Sequence, residues 1–240
     1  MSIPSAIVMG VGPDRGLGAT LCRRFAAEGL HVIAAGRTEE RVEAVAAAIR
    51  DAGHSAEGVP ADATSELDTV QLFERAGRSL SLAIYNAGNN TPGRIAEMDA
   101  GYFERSWRVG CFGGFLFGRE AARVMRERGG GTVLFTGASA SLRGRANFAA
   151  FNAAKGALRN FAQALAKEHG PDGIHVGHVV VDGPIAGDKV ILGIPDYANE
   201  IGEERMIDIE GIVDGYLYLY RQPRRAWTFE LDVRTSLERW

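Results

Sequence analysis

A glycine-rich segment near the amino terminus has the residue types that bind a dinucleotide phosphate. Gly12, Gly16 and Gly18 follow an apolar run and precede a helical pattern. Glycines at these points allow a sharp turn and close approach to a pyrophosphate, while the helix N-terminus supplies free N–H groups. The sequence therefore predicts a nucleotide-binding loop rather than merely a tight turn.

Two arginines near this loop indicate which dinucleotide binds. Arg15 lies inside the glycine segment, and Arg37 comes directly after the second predicted strand. An acidic side chain at the latter place would bond the ribose 2′-hydroxyl of NAD, whereas guanidinium groups grip the 2′-phosphate of NADP. We therefore expect NADP(H), with NAD less favoured. The alternative is that both arginines are ordinary solvated surface residues.

The elements that must position these residues alternate along the chain. Apolar runs predict strands at 6–11, 31–35, 55–59, 80–85, 132–136, 175–181 and 227–231, with helical patterns at 16–28, 38–52, 99–128, 148–169 and 208–220 and a helix start near 65–68. This alternation predicts an α/β fold, a three-layer doubly wound Rossmann fold with a mainly parallel seven-stranded sheet. We expect one domain over residues 1–240, with ligands bound at the carboxyl ends of the strands.

The combined motifs resemble the short-chain dehydrogenase/reductase family. Its glycine loop has the G-x-x-x-G-x-G spacing found at 12–18, and its N-A-G motif matches 86–88 after the fourth strand. Asp62 matches the acidic residue placed near the adenine, and Lys155 matches the lysine of the Y-x-x-x-K motif. The resemblance implies that the residues in contact with the cofactor are Gly12, Arg15, Gly16, Leu17, Gly18, Arg37, Asp62, Ala63, Asn86, Ala87, Gly88, Lys155, Gly183 and Ile185.

The catalytic positions that the family uses are altered in this chain. In the family a tyrosine transfers the proton, a lysine four residues later lowers the pKa of that tyrosine, and a serine polarises the substrate carbonyl. Here Phe151 takes the tyrosine position and has no ionisable hydroxyl. Ala138 takes the serine position; Ser139 is adjacent, although neighbouring residues of an extended segment face opposite ways. Gly110 replaces the helix asparagine, and Asp182-Gly183 replaces P-G.

Two functions are compatible with this pattern. The first is an NADP(H)-dependent oxidoreductase acting on an unknown small carbonyl or alcohol, in which Lys155 transfers the proton if burial lowers its pKa. Ser139, Asp182 and an ordered water are weaker candidates for that role. The second is a catalytically inactive NADP(H)-binding pseudoenzyme that acts as a sensor or scaffold. A small-molecule binding module without a cofactor is disfavoured because the glycine loop and the N-A-G motif are intact.

Several segments also resemble a less-studied group of short-chain dehydrogenase-like sequences with R-G, F-x-x-F and V-x-x-D-G signatures. The matching segments are 143–144, 148–151 and 179–183. This second resemblance implies that Phe151 belongs to the group's own pattern. Changed chemistry or a changed role is then favoured over random decay.

Bulk properties exclude several other classes of function. A formal net charge of −3 gives no electrostatic basis for binding nucleic acid or an anionic membrane. No apolar run is long enough to span a bilayer and no signal-peptide layout is present, so we expect a cytoplasmic protein. The five histidines show no metal-ligand spacing, so no metal site is expected. Cys22 and Cys111 are interpreted as buried thiols.

Three further segments bear on the substrate and on assembly. Arg143 and Arg145, after the fifth strand, could attract an anionic substrate, but we interpret them as solvated loop residues. Residues 184–205 occupy the place of the family's mobile substrate lid. The aromatic tail 227–240 and the family's habit of pairing its fourth and fifth helices indicate a homodimer or homotetramer. The alternative is that the tail aromatics cover the sheet edge of their own chain.

Overall fold

A single parallel sheet organises the molecule. The computed structural model describes residues 3–88 and 90–238. Its strands are β1 (Ser5–Met9), β2 (His31–Gly36), β3 (Ala56–Pro60), β4 (Leu80–Tyr85), β5 (Gly131–Thr136), β6 (Ile174–Val181) and β7 (Glu230–Val233). The strand order is β3-β2-β1-β4-β5-β6-β7, and every pairing is parallel. The predicted doubly wound α/β fold is confirmed.

Helices cover both faces of this sheet. They are α1 (Leu17–Ala27), α2 (Glu39–Asp51), α3 (Glu66–Ala76), α4 (Ala100–Trp107), α5 (Gly113–Arg128), α6 (Ala149–His169), α7 (Asp188–Ile191), α8 (Pro195–Ile201) and α9 (Ile209–Tyr220). Helices α1, α2 and α9 pack on one face, and α3, α5 and α6 pack on the other.

The apolar core is divided by the sheet into two layers. In β1, Ala6 and Val8 belong to the layer under α1 and α9, whereas Ile7 and Met9 belong to the layer under α3 and α5. Successive side chains of a strand point to opposite faces, so a strand covered on both sides must be apolar throughout. With both faces buried, the ends of the strands are left to receive a ligand.

The direction of winding reverses between β1 and β4, which are neighbours in the sheet. The connections that follow β1 and β4 pass to opposite faces of the sheet, and a crevice opens between the carboxyl ends of these two strands. The glycine segment follows β1, and the N-A-G segment follows β4. The topology therefore brings together two motifs that are about seventy residues apart.

The long helix predicted over 99–128 is interrupted by a π-helical segment, Arg108–Phe112, which joins α4 to α5. The buried Tyr85 hydroxyl donates a hydrogen bond to the carbonyl of Val109 in this segment, at 2.6 Å. A buried hydroxyl needs such a partner, and a widened turn satisfies it within the helix. No local sequence pattern indicates this irregularity, because its cause is a strand residue that contacts the helix only in the folded state.

Gly110, in the π-helical segment, lies directly against α6. A Cβ at this position would lie 2.6 Å from the Cβ of Ala154, closer than van der Waals contact allows. The asparagine that the family carries here cannot be accommodated without moving α6. Glycine at position 110 is therefore a packing requirement of this chain.

Two predictions about local structure are wrong. The strand predicted at 227–231 begins only at Glu230, because Trp227 stacks on His175 with a centroid distance of 5.0 Å and Thr228 N donates to Gln222 Oε1. The stretch after β5, expected to be extended, forms a 3₁₀ turn at Ser139–Ser141. In both places side-chain contacts determine the backbone conformation.

Both cysteines, Cys22 and Cys111, are buried free thiols, as predicted.

Within residues 3–88 and 90–238, no helix is long and apolar enough to cross a membrane. In the same ranges, no three His, Cys, Asp or Glu side chains are grouped to hold a metal ion.

We expect Gly110→Ala to lower the free energy of unfolding by ~1–3 kcal/mol, because the added methyl group overpacks the contact with Ala154. Gly156→Ala is the matched control, since a Cβ on this α6 glycine meets nothing within 4 Å. The free energy of unfolding of the control should rise by ~0.5–1 kcal/mol, because alanine has a higher helix propensity than glycine. Urea denaturation of both variants measures the difference. Equal stabilities of Gly110→Ala and the unchanged protein would show that α6 moves aside freely.

Candidate active site

The floor of the crevice is made where the segments after β1 and β4 touch. Gly10 has φ +102°, and a Cβ there would lie 2.5 Å from the backbone N of Ala87. Asn86 N donates to the carbonyl of Met9 at 2.8 Å, which continues the sheet pairing for one more residue. The glycine segment and the N-A-G segment are thus packed against each other.

A chain of buried and partly buried hydrogen bonds fixes this floor to the rest of the sheet. Asn86 Nδ2 donates to the carbonyl of Gly10 at 3.1 Å, and Thr136 Oγ1 donates to Asn86 Oδ1 at 3.0 Å. Tyr216 of α9 lies 2.6 Å from Thr136 Oγ1 and must be the donor, because the threonine hydrogen is already committed. Burial raises the pKa of the Tyr216 hydroxyl, which favours its protonated, donating form.

The start of α1 has the features of an anion site. No side chain caps this helix at Gly16, and its first turn carries no acidic residue. The first N–H groups are therefore available to phosphate oxygens. A Cβ on Gly12 would project into open space, while one on Gly18 would lie 2.7 Å from the carbonyl of Gly10. Gly12 leaves room for a ligand, and Gly18 allows α1 to pack on β1 beside buried Leu17.

Arg15 and Arg37 lie at the mouth of this anion site. Both are exposed, and within the described ranges neither guanidinium has a hydrogen-bond or ion-pair partner. Asp62 is also exposed, and its Oδ1 accepts hydrogen bonds from Thr64 N and Thr64 Oγ1, at 2.8 and 2.9 Å. Ala63 is buried, with its carbonyl close to Gly113. A dinucleotide phosphate fits this arrangement, since amide and guanidinium donors without protein acceptors surround open space.

Lys155 is the buried cation of the crevice. Its side chain is 4% exposed, and Nζ donates to the carbonyl of Thr136 at 2.6 Å. A Cβ on Gly88 would lie 3.4 Å from Nζ, so the amine lies beside the N-A-G segment. Burial, and to a lesser extent the positive charge of Lys189, lowers the pKa of Lys155 to about 8. The remaining N–H groups of the amine have no protein acceptor among the described residues.

The ring of Phe151 occupies the place from which the family's tyrosine would act. Its centroid is 5.9 Å from Lys155 Nζ, so the two side chains share one face of α6 as their spacing predicted. Ser139 lines the adjoining cleft, whereas Ser141 is buried and its Oγ accepts from Ala138 N at 3.2 Å. Of the two serines, only Ser139 is among the residues that line the cleft, and it lies in the 3₁₀ turn.

Asp182 is held by an arginine that sequence analysis placed in solvent. Arg143 Nη2 lies 2.9 and 3.0 Å from the two carboxylate oxygens of Asp182, whose side chain is 2% exposed. Arg143 is an exposed loop residue, as predicted, but its guanidinium also pairs with Asp182, because a buried carboxylate requires a charged partner. Gly183 follows with extended backbone, and Ile185 pairs through a bridge with Ile207. With both oxygens engaged by Arg143, Asp182 is poorly placed to transfer a proton.

A cleft of about 410 Å³ adjoins Ser139 and Asp182 after the ends of β5 and β6, and it is also bordered by the segment 184–205 and by residues of the tail. Ser139, Asp182 and Gly183 line its inner side, and Tyr197, Ile201 and Arg205 line its outer side. The segment 184–205 is not a bare loop, since it contains α7, α8 and a 3₁₀ turn at Glu203–Arg205. The size and the mixed lining suit a small organic substrate.

Helix α7 is attached to the glycine segment. Asp188 N donates to the carbonyl of Arg15 at 2.9 Å, and Arg15 N lies 3.3 Å from Asp188 Oδ2. The segment that borders the substrate cleft therefore also contacts the backbone of the anion site. A change at one place can be transmitted directly to the other.

Sequence analysis missed several of these groups. Thr136 and Tyr216 looked like ordinary strand and helix residues, and Arg205 was assigned only to the lid segment. An apolar pattern identifies a buried position but does not say which buried hydroxyls meet. The charged residues of the outer cleft gave no spacing signal, because they come from separate loops.

Comparison with known proteins places this geometry in a family. The short chain dehydrogenase family model matches residues 6–188. The protein named uncharacterized oxidoreductase YuxG, of Bacillus subtilis (strain 168), is 33% identical over 185 residues, which are 75% of this chain and 27% of that protein. The chain thus spans about a quarter of the length of that relative.

Two further matches extend over most of both chains. The cis-4-hydroxycyclohexanecarboxylate dehydrogenase of Sinomonas cyclohexanicum is 31% identical over 188 residues, 77% of this chain and 74% of that protein. A crystal structure of a short-chain dehydrogenase from Rhodopseudomonas palustris has a TM-score of 0.82 at 35% identity, covering 96% of this chain and 98% of that one. The parallel sheet, the crevice between β1 and β4 and these matches agree: this chain belongs to the short-chain dehydrogenase/reductase family.

Proposed function

We propose that this chain is an NADP(H)-dependent oxidoreductase that interconverts a small carbonyl compound and its alcohol, with Lys155 transferring the proton. The observation that carries the proposal is the buried Lys155 amine at the crevice, beside a ring that has no hydroxyl. Among the described residues its one acceptor is the carbonyl of Thr136, which leaves N–H groups for a ligand. Family membership makes a nicotinamide dinucleotide the expected cofactor class.

The chain's own residues divide the remaining work. A bound nicotinamide supplies a hydride to a substrate carbonyl carbon or accepts one from an alcohol. The Ser139 hydroxyl donates a hydrogen bond to the substrate oxygen and polarises the carbonyl. Lys155 gives a proton to that oxygen during reduction and is reprotonated from solvent; during oxidation the neutral amine takes the alcohol proton. Thr136 fixes the position of the amine throughout.

The electrostatic environment supports Lys155 in this role. An ordinary lysine amine holds its proton too firmly to exchange it readily near neutral pH. Burial disfavours the charged form, and Lys189 on α7 adds a second positive charge nearby, so the pKa falls to about 8. A proton-transfer group is most effective when its pKa lies near the working pH.

We predict that kcat/KM for carbonyl reduction falls as pH rises through about 8, because the protonated form of Lys155 is the donor. For alcohol oxidation kcat/KM should rise through the same range, since the neutral form is the acceptor. Lys155→Met should lower both rates by ~100-fold or more. The exposed Lys167→Met on the same helix is the control and should keep both profiles. Rates are followed by NADPH absorbance over a panel of ketones and secondary alcohols.

The opposite result would identify the inactive alternative. If the protein binds NADPH but neither it nor Phe151→Tyr combined with Ala138→Ser turns over any compound of the panel, a nucleotide-dependent sensor or scaffold is the better description. If activity is present but Lys155→Met leaves the pH profile unchanged, another group transfers the proton.

The preference for NADP(H) over NAD is supported by charge. Arg15 and Arg37 are exposed cations at the mouth of the anion site, and neither has an acidic partner within the described ranges. Guanidinium groups bind a 2′-phosphate in a bidentate manner, whereas a 2′-hydroxyl gains little from them. The remaining phosphates of the cofactor are assigned to the start of α1.

Arg37→Gln and Arg15→Gln should each weaken NADPH binding by ~10-fold or more, and leave NADH binding within about twofold. Arg225→Gln is the matched control, an exposed arginine at the opposite end of the sheet. Calorimetric titration with both cofactors measures the two affinities. Tighter binding of NADH than NADPH by the unchanged protein would refute the preference.

Residues 184–205 are proposed to act as a substrate lid. Large apolar side chains of this segment face solvent, including Leu192 at 71% and Ile194 at 53% exposure. Such side chains are ill-suited to permanent exposure and gain contacts when a segment closes over a ligand. The contact between Asp188 and Arg15 links that movement to the anion site.

A homodimer or homotetramer is proposed through the α4–α5 face. Phe103, Trp107 and Phe115 are each about two-fifths exposed there, although large aromatics are usually buried. Trp107 also stacks on Phe112 at 6.3 Å, which makes the apolar surface continuous. The aromatic tail gives less support, since Trp227 covers His175 of its own chain; Trp240 lies outside the described residues.

Trp107→Glu should shift the protein to a smaller species, because a carboxylate in the centre of an apolar interface would lose its hydration without a partner. Size-exclusion chromatography with light scattering measures the mass. Tyr218→Glu is the control, since Tyr218 is 56% exposed on α9, which packs on the opposite face of the sheet. A monomeric unchanged protein, or a mass unaffected by Trp107→Glu, would argue against this interface.

A further inference from the structure

The charges around the substrate cleft are unevenly paired. Its lining contains three guanidinium groups, Arg143, Arg145 and Arg205, and two carboxylates, Asp182 and Glu238. Both carboxylates face the same arginine: Arg143 Nη2 is 2.9 Å from Asp182 Oδ1 and 3.7 Å from Glu238 Oε1. Among the described lining residues, one positive charge is therefore left over when the two carboxylates are set against the three guanidinium groups.

Arg145 and Arg205 carry this excess. Arg145 lies in the loop before α6, with its guanidinium 5.3 Å from the centroid of the Phe148 ring. Arg205 ends the segment 184–205 on the other side of the cleft. Within residues 3–88 and 90–238, neither guanidinium has an acidic partner. Two guanidinium groups from separate elements thus border one cleft, and the acids of its lining pair with Arg143 rather than with either of them.

Both arginines are exposed, but they border a cleft rather than an open surface. Ile201 and Leu237 also line the cleft, so part of its wall is apolar. Near low-dielectric walls a charge is screened less than on an open surface, and a guanidinium attracts an anion more strongly. Ser139, to which the proposed function assigns the substrate oxygen, lines the same cleft.

From this arrangement we propose that the substrate is a monoanionic carboxylate, with its carbonyl or alcohol at Ser139 and its carboxylate between Arg145 and Arg205. The proposal rests on the function assigned above and specifies the substrate class of the same site. A single negative charge matches the single uncompensated positive charge, and a planar carboxylate matches the guanidinium fork. Because Arg205 belongs to the segment 184–205, binding the carboxylate also draws that segment toward Arg145.

The test uses two compounds of equal shape, 4-oxocyclohexanecarboxylate and its neutral carboxamide. Each is titrated calorimetrically into the protein saturated with NADP⁺, and each is offered separately with NADPH. We expect the carboxylate to bind ~10-fold or more tightly than the carboxamide, and this preference to decrease at high salt. Arg145→Gln and Arg205→Gln should each reduce the preference to about twofold or threefold. Arg225→Gln should leave it unchanged, and thermal melting confirms that all variants are folded.

The two readouts separate this inference from the proposed reaction. Equal binding of the two compounds, or a preference that survives both arginine substitutions, overturns the anion site even if NADPH is consumed. An arginine-dependent preference for the carboxylate supports the anion site even if NADPH is not consumed. In that second case the proposed reaction is refuted and the carboxylate-binding site is supported, because calorimetric titration measures binding without turnover.

Discussion

The side-chain amide of Asn86 joins the two halves of the crevice. Its Nδ2 holds the carbonyl of Gly10 after β1, and its Oδ1 accepts the hydroxyl of Thr136 at the end of β5. Thr136 in turn receives Tyr216 from α9 on its side chain and Lys155 from α6 on its carbonyl. In a buried environment each of these polar groups is costly unless paired, so the network specifies one arrangement of three strand ends and two helices. The anion site and the buried amine depend on the same few hydrogen bonds.

The altered catalytic positions are accompanied by local adjustments elsewhere. Gly110 leaves space that Ala154 fills, so an asparagine side chain has no room at that position. Asp182 is buried, and Arg143 supplies the charge that makes its burial possible. Phe151 packs near Lys155, and in the described part of the chain the amine has one acceptor, the carbonyl of Thr136. Each change has a physical counterpart in a neighbouring element, which is the pattern of a repacked site rather than of an isolated loss.

The fold was predictable because local patterns determine it. Strands such as β1 are apolar on both faces, and the helices between the strands are long and amphipathic. A parallel sheet with helices packed on both sides buries the apolar faces of the strands and of the helices. The predicted strand bounds were correct to within about two residues, apart from β7. The errors arose where a tertiary contact governs the backbone: Tyr85 on the carbonyl of Val109, and Trp227 on His175. Neither contact has a signal in the sequence around the residue that it distorts.

The sequence by itself determined the family, the glycine segment, the N-A-G segment and the lysine, because each is identified by residue types at fixed spacings within short segments. Tertiary structure decided the environment of that chemistry. Several features arise between residues far apart in the chain: the burial of Lys155, the place of Ser139 in the cleft lining, the pairing of Arg143 with Asp182, and the charges of Arg145 and Arg205 without acidic partners among the described residues. Burial and charge pairing depend on the distances between residues in space. The spacing of residues along the chain does not determine those distances before the chain folds.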